Sequence, residues 1–77
     1  MFEYNVSKVA DNNIFLEVCH KIEKEINDLN KKNKLIDVDG TIIQIYESPK
    51  GKIKVYNDYE VDAVYVESDL SLSGIVL

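Results

Sequence analysis

The residues best placed to act on another molecule are acidic and aromatic. Tyr56, Asp58, Tyr59, Glu60 and Asp62 fall within seven positions, and an exposed aromatic inside an acidic surface is what a protein-binding patch carries. On a strand, residues 58, 60 and 62 would project to one side about 6.5 to 7 Å apart, forming a single acidic row. His20 is the only histidine, so neither a zinc site nor a Ser-His-Asp arrangement has its usual partners. On a 100° helical wheel His20 falls opposite the apolar stripe, as a solvated residue. Cys19 lies at the margin of that stripe and reads as a small core filler, because nothing beside it would lower its pKa.

A sharper local pattern is Leu35-Ile-Asp-Val-Asp-Gly-Thr-Ile-Ile43. It resembles the first motif of the haloacid dehalogenase superfamily, Asp-x-Asp-Gly-Thr after an apolar strand. The resemblance implies Asp37 as nucleophile, Asp39 as acid/base and magnesium between them, a metal-dependent phosphotransfer remnant. It also implies a doubly wound parallel sheet with later Ser/Thr, Lys and paired-acid motifs. The rest of this chain instead reads as hairpins without paired acids, so the residues themselves predict an ordinary Asp-Gly turn, with no metal, no cofactor and no catalytic residue.

The element that must position everything else is a helix over Asp11 to Asn33. Phe15, Val18, Ile22, Ile26 and Leu29 recur at three- and four-residue steps, with Ile14 and Cys19 at the margins, and form one apolar stripe. Asp11, Asn12 and Asn13 are N-cap residue types. Lys31, Lys32 and Lys34 suit the negative pole of the dipole, and Asn33 suits a left-handed cap. Glu17 with Lys21 and Asp28 with Lys32 are acid-before-base pairs at helical spacing.

Strand signals surround the helix. Phe2 to Val9 alternates apolar and polar residues. In Leu35 to Glu47, Asp39-Gly40 predicts either a two-residue hairpin after a short strand or a bulge in a longer one. Ser48-Pro-Lys-Gly51 is a turn, followed by a strand over Lys52 to Tyr56. A three-residue turn, Asn57 to Tyr59, then leads to a strand over Glu60 to Glu67, setting Val55 against Val61, Ile53 against Ala63 and Lys54 against Asp62, with Tyr65 inward. The apolar tail, Leu70 to Leu77, is expected to dock as a last strand or against a second copy. Residues 1–77 are thus expected to form a single α+β domain: one long helix on an antiparallel β-meander of four to five strands, in the order β-α-β-β-β.

Composition narrows the function. The chain is 45% hydrophobic and 30% charged, with a formal net charge of −5, and has room for one small core. Residues 1 to 54 hold nine Lys against nine Asp and Glu, whereas residues 55 to 77 hold five acids and no base. Such a chain repels phosphates, which argues against direct nucleic-acid binding and for a protein partner with a basic surface. A lone cysteine demands no oxidising compartment, and neither a signal peptide nor a membrane-length apolar run is expected, so a cytoplasmic location is the default. All nine basic residues are lysine, a usage similar to that of an AT-rich genome. Small size and one-sided acidity together resemble a phage or mobile-element inhibitor, an anti-CRISPR or other anti-defence protein that binds a nucleic-acid-handling partner. The alternative is a self-associating protein, a homodimer through its C-terminal strand.

Overall fold

The computed structural model describes residues 1–77 and has two layers, one helix against one antiparallel sheet. The elements run β1 (Phe2–Ser7), α1 (Asn12–Glu25), β2 (Asn30–Lys31), β3 (Leu35–Ile36), β4 (Ile42–Ser48), β5 (Gly51–Asp58) and β6 (Ala63–Ser68). The sheet has six strands in the order β1-β6-β5-β4-β2, with β3 also paired to β4. It therefore has more strands than the four to five expected, and β1 lies beside the last strand rather than beginning a meander.

The helix begins where its sequence says it should. Asp11 is extended, and its carboxylate accepts the N–H groups of Asn13 and Ile14, closing two donors that a first turn leaves open. Phe15, Val18, Cys19 and Ile22 are buried, and His20 is exposed as the wheel predicts. Burial raises the Cys19 thiol pKa, which suits an inert core side chain.

The helix does not reach Asn33. It stops at Glu25, Ile26 is extended, and Asp28 rather than Asn33 takes the left-handed conformation. A demand from the sheet ends it: the open edge of β4 needs backbone partners. Asn30 and Lys31 pair with Glu47 and Tyr46, the Lys32 N–H reaches the Ile45 carbonyl, and Gln44 Nε2 donates to the Lys32 carbonyl. Ile26 and Leu29 still pack against the core, but from a connection. The Asp28 with Lys32 pair and the three lysines at a helix end are thereby lost, and Lys24 is the basic residue in the last turn. Lys31 instead lies 3.1 Å from Glu23, which also accepts the Tyr46 hydroxyl.

Alternation along the central strands separates two faces. Gln44 and Tyr46, Ile53, Val55 and Asn57, and Val64 and Val66 face the helix and are buried. Their register differs from the expected one: Val55 pairs with Val66, Lys54 with Glu67 and Tyr56 with Tyr65. Strand β5 continues to Asp58, and the turn is the four residues Tyr59 to Asp62, with Asp62 at a positive φ of 56°. This register puts Val64 and Val66 in the core and moves Tyr65 to the helix-free face, which a Val55 to Val61 pairing would not do.

The Asp-Gly hairpin has a three-residue loop, not two. The Gly40 N–H bonds to the Asp37 carbonyl and the Asp37 N–H to the Thr41 carbonyl, and of Asp39 and Gly40 only Gly40 has positive φ. That is a tight turn followed by a left-handed glycine. At Gly51, φ is 138° and an added Cβ would lie 2.5 Å from the Asp69 Cβ, so only glycine fits there. The tail docks without forming a strand. Leu72 and Val76 are buried, the Leu72 carbonyl accepts the N–H groups of Ile75 and Val76, and the Leu72 N–H donates to the Tyr4 hydroxyl. The tail is thus held against its own body by turns and not as the last strand expected.

Candidate functional site

Three connections meet at one end of the sheet: residues 8–11 between β1 and the helix, 37–41 between β3 and β4, and 58–62 between β5 and β6. Hydrogen bonds tie them together. The Ala10 N–H donates to Asp62 Oδ1 at 2.8 Å, the Asp11 N–H to Asn57 Oδ1 at 3.0 Å, and the Tyr59 N–H to Thr41 Oγ1 at 3.0 Å. Asn57 is fully buried, and its Nδ2 reaches the Tyr59 hydroxyl. One amide thus links the helix start to the last turn, and a Cβ at Gly40 would touch the Tyr59 ring.

Folding gathers six carboxylates here, Asp11, Asp37, Asp39, Asp58, Glu60 and Asp62, with Lys8 as the single base in these connections. The aspartates shape the loops as well as charging them. Asp37, Asp39 and Asp58 each accept a backbone N–H from their own turn, the local bonding that suits this residue to turns. The Thr41 N–H and hydroxyl hold the Asp39 carboxyl below its ordinary pKa. Glu60 is exposed and its carboxylate makes no hydrogen bond within the chain. Between the acids stand exposed apolar residues: Val9, Leu35, Ile36, Val38, Tyr59 and Val61, six of the chain's nine exposed large hydrophobics. Such concentration at one end distinguishes a patch from ordinary scatter.

The expected acidic strand row is not there, because Glu60 and Asp62 belong to the turn. Tyr59 and Glu60 are exposed in that turn, while Asp62 is tied to Ala10. Tyr56 and Asp58 lie on the helix-free face. There the Tyr56 and Tyr65 rings stack with centroids 4.5 Å apart, and their hydroxyls donate to Glu67 and Asp58 respectively. Asp58 also accepts the Glu60 and Val61 N–H groups, so its role is to build the turn. Sequence reasoning missed Asp11, Val9, Val38 and Val61 as members of this surface. A strand assigned over Glu60 to Glu67 turned Val61 inward, although three acids in five residues around it were a turn signal. Asp37 and Asp39 sit in an antiparallel hairpin, not after a strand of a parallel sheet, so their resemblance to the dehalogenase motif does not extend to the fold.

The tyrosines make stability sensitive to alkali. Burial, then the hydrogen bond to Glu67, pushes the Tyr56 pKa up to about 12. Burial and acceptance by Asp58 raise Tyr65, and burial and Glu23 raise Tyr46. Unfolded tyrosines lose their protons near 10.0. The stability these three contribute is therefore whole below that pH and is lost as pH rises through the folded values. Thermal melts should hold level to about pH 10 and fall steeply beyond it; a melting temperature still level at about pH 12 would contradict these contacts.

No protein-family model, curated protein or solved structure matches the chain. No helix is long and apolar enough to cross a membrane.

Proposed function

We propose that this chain is a non-enzymatic protein-binding domain, a small acidic inhibitor or regulator of phage or mobile-element type that docks on a basic, nucleic-acid-handling partner. One observation carries the reading: the three connections at this end of the sheet hold six carboxylates against one lysine and, with the adjoining β3, most of the exposed large apolar side chains. Carboxylates steer a basic partner into place, and apolar side chains that lose water at the contact slow its departure. Tyr59 and Glu60 are exposed on this surface, with the Tyr59 N–H held by Thr41. An acidic surface of this kind competes with nucleic acid for a basic groove, which is the simplest way for so small a domain to inhibit.

Affinity capture from a candidate host, with two baits side by side, tests the reading. The second bait carries Glu60→Lys and Asp62→Asn, which removes negative charge while leaving an acceptor for the Ala10 N–H. A nucleic-acid-binding protein held by the wild type, displaced by duplex DNA or RNA, and lost from the second bait is the expected result. Capture of the same partner by both baits would place the interface elsewhere.

A further inference from the structure

Strand β4 is apolar on both of its faces. Gln44 and Tyr46 face the helix and are buried, so alternation turns Ile43, Ile45 and Glu47 to the helix-free side. An antiparallel strand whose second face is solvated carries polar residues there. Register extends the apolar line across the sheet: Leu35 pairs with Ile43, Ile43 with Tyr56 and Tyr56 with Tyr65. The four side chains form one rib over β3, β4, β5 and β6. Its aromatic half is held in place, because the Tyr56 and Tyr65 rings stack and both hydroxyls donate to carboxylates. Tyrosines so fixed lose little conformational entropy when they are covered.

Charge on this face points to what covers it. The chain carries −5 overall, so two copies repel unless they meet where charge is balanced. On the helix-free side of β4, β5 and β6, Lys32, Lys52 and Lys54 stand against Glu47, Asp58 and Glu67. The balance is incomplete locally. Glu47 is shared between Lys32 at 3.4 Å and Lys52 at 3.7 Å, while Lys54 meets no carboxylate and Glu67 no ammonium within ion-pair distance. Lys32, Ile45, Lys54 and Glu67 form one row across the sheet, basic at one end and acidic at the other. A row polarised in this way is complementary to its own reverse.

We propose that the helix-free face docks on the same face of a second copy of this chain, sheet against sheet. The two-fold axis runs along the strands, between β4 and β5, at the middle of the rib. It reverses each row from side to side, so rib lies on rib and Lys32 faces the partner's Glu67. Lys54 lies over the partner's Ile45, where its aliphatic stem packs. Both helices stay outermost. The contact goes beyond the partner surface proposed above and shares only Leu35 and Asp58 with it, leaving Tyr59, Glu60 and the other loop acids open. Four strands make a face roughly 19 Å across, small for an interface, so the pair forms only in concentrated solution.

Sedimentation of the full chain up to about 1 mM, with carbodiimide cross-linking, tests the proposal. The wild type should pass from 8.8 kDa to twice that mass. Its cross-linked dimer should contain a bond from Lys32 to Glu67, shown to join two copies by mixing isotope-labelled and unlabelled chains. Ile45→Lys, which sets one lysine against the partner's Lys54, should stay monomeric with an unchanged circular dichroism spectrum. Lys32→Glu should also be monomeric, and adding Glu67→Lys should restore the dimer by exchanging the charges. The exchange keeps the test open should Ile45→Lys fail to fold. A wild type at 8.8 kDa throughout, a dimer without that bond, a folded Ile45→Lys variant that still dimerises, or a Lys32→Glu variant as dimeric as the wild type would each overturn the proposal.

Discussion

Replacing Ile22 with aspartate should abolish folding. Ile22 is completely buried, the last of the four buried residues of the helix, in one cluster with Phe15, Val18 and Tyr46. The change removes an apolar side chain whose truncation to alanine alone would cost about 2 to 5 kcal/mol, and adds a carboxylate that must stay unpaired or bind a proton. A chain of this length has roughly 0.05 to 0.15 kcal/mol of net stability per residue, so the combined loss is comparable to all that it holds. His20→Ala, two positions away on the exposed side, should barely move the melt. Circular dichroism melts of the two variants check the helix face, and the reverse order would show it assigned wrongly.

Removal of Leu72 to Leu77 should be the second largest loss. Leu72 and Val76 are buried although no strand holds them, and each buried aliphatic side chain contributes about 1.5 to 3 kcal/mol. The same cut leaves the buried Tyr4 hydroxyl without the Leu72 N–H that it accepts at 2.7 Å. A fall in melting temperature of more than about 10 °C is expected. A truncated protein that melts with the wild type would mean the tail is merely laid on the surface.

What was legible in the sequence was whatever depends on neighbours along the chain. The Asp11 cap, the buried face from Phe15 to Ile22, the Pro49 and Gly40 turns and the burial of the tail follow from local spacing and residue type. What was not legible depends on competition across the chain. Residues 27 to 33 carry a helical rhythm, yet the edge of β4 claims Asn30 to Lys32 as backbone partners. Glu60, Val61 and Asp62 alternate as a strand would, yet Asp58 accepts two of the turn's N–H groups and Asp62 reaches across to Ala10. The same competition decided the site: Tyr59 and Glu60 stayed exposed, Asp58 and Asp62 became supports, and Asp37 and Asp39 joined them from a distant hairpin.

The most direct measurement of the central claim is the affinity of a captured partner for the wild type and for the Glu60→Lys and Asp62→Asn variant, each at two salt concentrations. An acidic docking surface predicts that the variant binds roughly tenfold more weakly at low salt, mainly through slower association, and that the gap narrows as salt rises. Equal affinities at both salt concentrations, with both proteins folded, would contradict it.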